Sequence, residues 1–225
     1  MGLALAKSLL ADGAEVIIAG RSQERLKVVS SHLDNERLRT ISVDITQEEQ
    51  VARLFEQTGQ LNHIVTTAAN IEGAYELLPS LPLMAAHKVV DSKFIGPLLL
   101  AKYGAPVLDA QGSIVFTSGI AAYRPAPRGS VVAAINGALE SLAYALAVEL
   151  GPIRVNVVSP GWVDSPLWEF VAGAAKNDVL TAKAEQLPVK RIGQPEDIAH
   201  AIRFLMQNGF VTGTVLHVDG GHRLV

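Results

Sequence analysis

Ser113-Ile114-Val115-Phe116-Thr117, a helical stretch from Ser130 to Leu150, and Ile153-Arg154-Val155-Asn156-Val157-Val158 follow one another in the second half of the chain. Both flanking runs have strand length and are apolar at nearly every position rather than at every second one, the pattern of strands buried on both faces. A helix between two such strands is the unit of a parallel sheet.

The same alternation extends outward. Leu3 to Leu10 has helical spacing and closes at Asp12-Gly13, Val16 to Ala19 is a short strand stopped by Gly20, and Ser22 caps a helix through Leu33. Leu38 to Val43 reads as a strand, and Thr46-Gln47-Glu48-Glu49 as a capping box opening a helix to about Gln57. Leu61 to Thr66 is the next strand, followed by one long helix from Leu83 to Tyr103. Helices at Ser165 to Ala175, Asp178 to Gln186 and Pro195 to Met206 precede a last strand, Thr214 to Val218. With no repeat and no break in composition, residues 1–225 read as one doubly wound α/β domain.

The 225 residues are 49% hydrophobic but only 18% charged, against roughly 25% in an average soluble domain. This points to elements covered on both faces, or to a subunit that hides surface in an oligomer. The net charge of −3, with no basic run longer than two, gives no reason to expect nucleic acid or an anionic membrane as partner. The absence of cysteine excludes disulfides and a thiol nucleophile. Six scattered histidines without HExxH spacing argue against a metal site. The apolar run from Phe94 to Ala101 is far short of the ~18 residues of a spanning helix, and the N-terminus lacks the regions of a signal peptide. A cytoplasmic protein is the expectation.

Parallel sheets bind ligands beyond the carboxyl ends of their strands. A dinucleotide there needs a glycine-rich turn before a helix, so that backbone N–H groups approach the pyrophosphate; Gly2 stands in that place. Gly20-Arg21-Ser22 follows the next strand, where an acid would bind the ribose 2′-hydroxyl of NAD, and an arginine with a hydroxyl suits the 2′-phosphate of NADP(H) instead. Asp44, followed by Ile45, offers a carboxylate to the adenine amino group, or a cap to the next helix.

At this point the chain resembles the short-chain dehydrogenase/reductase family throughout its length. The carriers are Gly2-Leu3-Ala4-Leu5-Ala6, Gly20-Arg21-Ser22, Asp44, Gly112-Ser113-Ile114-Val115, the run from Ile153 to Gly161, Pro195-Glu196-Asp197-Ile198-Ala199, and Thr212-Gly213 with Asp219-Gly220-Gly221. The resemblance implies a Rossmann-like sheet of seven strands binding NAD(H) or NADP(H), in a homodimer or homotetramer. Only six strands are legible. The first, central one has no counterpart, and we expect Met1 to stand inside a glycine-rich turn that a strand precedes. The resemblance further assigns Thr67, Ala68 and Ala69 to the loop beside the cofactor. It assigns Pro160, Gly161, Val163 and Ser165 to the nicotinamide end, where a backbone amide and a hydroxyl hold the carboxamide.

The family's proton donor is a tyrosine paired with a lysine four residues on. Here Tyr75, Tyr103, Tyr123 and Tyr144 are followed at that spacing by Pro79, Val107, Pro127 and Val148. Alignment on Asn136-Gly137-Ala138-Leu139-Glu140 puts Val132 in the tyrosine position and Asn136 in the lysine position, with the serine on Ser118, or on Gly119 if the loop is ungapped, and the family's asparagine on Lys93. Two readings follow. In one, the site is rewired for a carbonyl or alcohol substrate: Ser118 binds the carbonyl, and Lys93, Tyr123 or Arg124 supplies the proton or steadies the alkoxide. Arg124 and Arg128 could also hold an anionic substrate, and Trp162, Trp168 and Phe170 could form an apolar lid. In the other, NADP(H) is bound without hydride transfer, in a subunit-type protein.

Overall fold

A computed structural model describes residues 1–166, 168 and 172–225. Phe170, and part of the helix expected from Ser165 to Ala175, lie outside the described residues. The elements run α1 (Gly2–Ala11), β1 (Val16–Gly20), α2 (Gln23–Leu33), β2 (Leu38–Ser42), α3 (Glu48–Thr58), β3 (Leu61–Val65), α4 (Leu83–Val90), α5 (Gly96–Gly104) and β4 (Leu108–Thr117). They continue with α6 (Ser130–Glu149), β5 (Arg154–Pro160), α7 (Lys176–Gln186), α8 (Pro195–Gln207) and β6 (Val215–Val218).

Every strand pairing is parallel, in two sheets: β1 with β2, and β3-β4-β5-β6. Among the described residues β1 and β3 share no ladder. The halves are joined by α1, whose Leu5 packs with Ile198, Ile202 and Leu205 of α8, while Arg203 of α8 reaches Ser8 and Asp12.

The continuous apolar runs are explained by coverage on both sides. Ile114, Phe116, Val155 and Val157 point into a core with Leu54 and Phe55 of α3 and Leu139 of α6. Val115 and Val158, one residue out of phase, point into the opposite core with Ile198 and Ile202. All six strand residues are fully buried, each contributing roughly 1.5–3 kcal/mol of transfer free energy.

Three expectations are corrected. The long helix from Leu83 to Tyr103 is interrupted by a π-turn over Asp91–Ile95. Pro97 has no N–H for the carbonyl of Lys93 and its ring crowds that carbonyl, so the turn widens and Gly96 N–H bonds to Asp91 O instead. The capping box at Thr46 does not form: α3 starts at Glu48, and the Thr46 hydroxyl turns to Asp44. Lastly, α6 is long and apolar enough by composition to cross a membrane, a longer candidate than the Phe94 run. Here it is a core helix, burying Ile135, Leu139, Ala143 and Leu146 together with Asn136 and Glu140.

Candidate active site

Two sets of residues gather at the carboxyl ends of the strands. The first lines a cleft of about 360 Å³ beyond β1, β2 and β3 that includes Gly20, Arg21, Asp44, Ile45, Ala68 and Ala69. The Arg21 side chain is exposed and makes no hydrogen bond among the described residues. Ser22 Oγ accepts from Arg25 N–H at 3.2 Å as the cap of α2, which leaves its own proton free. One oxygen of Asp44 accepts from Thr46 N–H and Thr46 Oγ1, at 3.0 and 2.8 Å, and its other oxygen has no partner among the described residues. The carboxylate therefore orders the turn before α3 and still presents an acceptor to the cleft. Gly2 opens α1 beside β3: a Cβ on it would stand 2.8 Å from Thr67 Oγ1. Ser92 fixes the floor, accepting from Asn70 N–H at 2.8 Å and donating to Lys88 O at 2.8 Å.

The second set is buried and polar. The widened turn before Pro97 swings Lys93 inward, where it is 7% exposed. Its Nζ donates to Asn136 Oδ1 at 2.7 Å and to Ser118 O at 3.3 Å, so among the described residues one of its three protons remains uncommitted. Asn136 Nδ2 donates in turn to Gly119 O at 3.3 Å. Burial pushes the Lys93 ammonium down to about 8, against the partial opposition of the Glu140 carboxylate. One turn after Asn136, Glu140 accepts from Ser118 Oγ at 2.8 Å and from the Tyr123 hydroxyl at 2.5 Å. Burial, then the hydrogen bond to Glu140, holds the Tyr123 hydroxyl well above the usual phenol range. The Tyr123 ring meets His217 edge-on at 4.5 Å.

Lys93, Ser118 and Tyr123 are thus brought into one network. Arg124 lies beside it on the exposed side of the loop. Two members were missed, Glu140 and His217. For Glu140 a signal existed: it is the one acid between Ser130 and Val148, four residues from Asn136 and so on the same helical face.

Past β5, Gly161 approaches Asp219 so closely that a Cβ would stand 2.6 Å from Asp219 Cα and 2.9 Å from its carbonyl oxygen. Val163 bridges to Gly193, yet its N–H has no acceptor among the described residues. Ser165 O accepts from Trp168 N–H at 3.1 Å, and Trp168 stacks on Trp162 at 4.2 Å. The backbone crowding at Gly161 is testable. Gly161→Ala is expected to cost about 1–3 kcal/mol, at roughly 2–4 °C of melting temperature per kcal/mol. Gly137→Ala, at a helical site with open space around it, should stabilise by about 0.5–1 kcal/mol. Thermal melts of the two variants check both signs.

The family model described as enoyl-(acyl carrier protein) reductase matches residues 1–223. The short-chain dehydrogenase/reductase ATR9 of Stachybotrys chlorohalonatus is 32% identical over 98% of this chain and 92% of its own. Among solved structures, MalC reductase/Diels-Alderase from Malbranchea aurantiaca superposes with a TM-score of 0.92 at 30% identity, covering 100% of this chain and 92% of that one. A small-chain dehydrogenase in complex with NADPH superposes at 0.80 with 31% identity, covering 94% of this chain and 100% of that one.

Proposed function

Since the chain belongs to the short-chain dehydrogenase/reductase family, we propose that it is an NADP(H)-dependent oxidoreductase of a carbonyl or alcohol substrate whose proton donor is the Lys93 ammonium. The observation that carries this reading is the contact between Lys93 and Asn136. The two positions hold the opposite residues from those the family pattern leads one to expect, so the buried ammonium is kept and comes from the other helix.

The residues of the cleft fit the cofactor. Gly2 leaves room at the head of α1, Arg21 and Ser22 offer a guanidinium and a hydroxyl proton to a 2′-phosphate, and the free oxygen of Asp44 faces the adenine position beside Ile45. Thr67, Ala68 and Ala69 keep the adjoining loop small. At the other end the unpartnered Val163 N–H and the Ser165 hydroxyl would hold the carboxamide, with Pro160 and Gly161 shaping the backbone. The NADPH of the solved relative supports the same choice. When bound, the nicotinamide supplies or accepts the hydride.

The chain's own residues handle the proton. The uncommitted N–H of Lys93 points the charge at a substrate oxygen, stabilises the growing alkoxide and passes it the proton, leaving a neutral amine held by Asn136. Ser118, whose single hydroxyl proton is donated to Glu140 at 2.8 Å in the free protein, would turn that proton to the same oxygen when substrate binds. Tyr123 is the weaker candidate, since a raised pKa makes it a poorer acid at neutral pH. A homodimer or homotetramer in the cytoplasm belongs to the same proposal; exposed Tyr144 and Val148 on α6 and Phe210 before β6 support association, and the lack of cysteine suits a reducing compartment.

Calorimetric titration with NADPH and NADH, followed by turnover assays over aldehydes and ketones, tests the proposal. Tight NADPH binding with no turnover would favour the non-catalytic reading, in which the hydroxyl protons of Ser118 and Tyr123 stay committed to Glu140. Arg21→Asp is expected to reverse the preference toward NADH, weakening NADPH by about 10- to 100-fold. Equal binding of both cofactors by the parent would remove the role given to Arg21.

A further inference from the structure

The polar network around Glu140 has its protons counted out. Glu140 is 6% exposed, and among the described residues its carboxylate has two donors, Ser118 Oγ on one oxygen at 2.8 Å and the Tyr123 hydroxyl on the other at 2.5 Å. Each hydroxyl has a single proton to give. Asn136 Nδ2 is turned to Gly119 O at 3.3 Å. Lys93 Nζ serves Asn136 Oδ1 at 2.7 Å and the backbone oxygen of Ser118 at 3.3 Å, which leaves its third proton for a substrate oxygen.

A carbonyl that draws the Ser118 proton to itself changes this count. Glu140 Oε1, 2.8 Å from Ser118 Oγ, then loses its donor, and a buried carboxylate oxygen without one is costly. Tyr123 already holds the other oxygen, so the replacement has to arrive with the substrate. Oxygens on adjacent carbons stand about one hydrogen-bond length apart, ~2.8 Å, the same spacing as Ser118 Oγ and Glu140 Oε1. Two such oxygens lie side by side with that pair: the carbonyl accepts from Ser118 and Lys93 while the neighbouring hydroxyl donates to Glu140, and no hydrogen bond is lost.

We propose that the substrate is an α-hydroxy ketone, or in the reverse direction a vicinal diol, whose second hydroxyl is recognised by Glu140. The reaction stays the one given above, with NADPH consumed as the ketone becomes the diol and the neighbouring hydroxyl left unchanged. The inference rests on the oxidoreductase reading for the reaction, and on the inventory of protons for the hydroxyl.

Acetoin, its methyl ether and butanone separate the parts: the ether keeps the second oxygen but has no proton to donate, and butanone lacks both. With NADPH, kcat/KM for acetoin should exceed that for either of the others by about 10- to 100-fold. Calorimetry on the cofactor-free protein reads the same ranking as binding. In Glu140→Gln the amide donates as well as accepts and a plain ketone strands no charge, so the preference should shrink to about threefold or less, chiefly through better use of butanone. A merely structural role would lower all three substrates together and keep their ranking, which would overturn the assignment to Glu140. Equal handling of the three by the parent, as when a water takes the place of the hydroxyl, overturns the inference, as does binding of none; the parent's ranking decides alone if the variant does not fold. Tighter binding of acetoin without turnover of any of them leaves the hydroxyl site standing and sinks the oxidoreductase reading instead.

Discussion

Lys93→Met is expected to lower kcat for carbonyl reduction about 10²- to 10³-fold, equivalent to about 3–4 kcal/mol of transition-state stabilisation, with NADPH affinity nearly unchanged. The reason lies in the site's chemistry: among the described residues Lys93 is the only buried cation that touches Ser118 and Asn136, and methionine replaces its stem without its charge. The pH profile gives the sign. With the ammonium lowered to about 8, it is protonated below that pH and neutral above it. Reduction, which takes the proton, should therefore fall as pH rises through about 8, while alcohol oxidation, which needs the free amine as base, should rise through the same window. Lys93→Arg stays charged across the range, so its reduction rate should lose that limb. Stopped-flow measurement of NADPH oxidation over pH 6–10 reads all three. Near-parental turnover by Lys93→Met would exclude Lys93 from proton transfer and return the question to Tyr123.

Short-range signals made most of the architecture legible. Strands buried on both faces announce themselves as unbroken apolar runs, and the structure puts Ile114 and Val115 into opposite cores as that pattern requires. The Ser22 cap and the stop at Gly13 were readable because capping and positive φ act within a few residues. What escaped depends on partners distant in the chain or on competition between neighbours. Thr46 had a capping sequence, yet Asp44 two residues back takes its hydroxyl. The start of β4 at Leu108 is set by its pairing with Leu61 across a register shift, which no local pattern carries. Lys93 and Asn136 can each be placed on the family pattern, and Lys93 reads there as a candidate proton donor while Asn136 reads as a lost lysine. Their contact spans 43 residues, so that Lys93 answers the loss at Asn136 is visible only in three dimensions. The π-turn that delivers Lys93 inward was within reach, because Pro97 stands four residues after it and cannot serve an α-helical turn.

The reciprocal exchange yields the sharpest test. Lys93→Asn should lose about as much as Lys93→Met, since it removes the ammonium and leaves two amides face to face. Asn136→Lys should lose about tenfold for the opposite reason: two ammonium groups at hydrogen-bond distance cannot both stay charged, and the repulsion depresses at least one of them further. Combining the two restores one ammonium and one amide in the same small volume, with the donor rooted on α6 instead of the π-turn. Because Nζ and Oδ1 are already 2.7 Å apart, the charge need move by little more than that distance. The double variant is therefore expected to recover to within about tenfold of the parent, a coupling of about 2 kcal/mol or more between the positions. Additive losses would mean that the ammonium must come from the π-turn, at the angle Pro97 imposes, and that position rather than charge is what residue 93 contributes. Recovery would mean that the site needs a buried cation beside Ser118 and is indifferent to which helix supplies it.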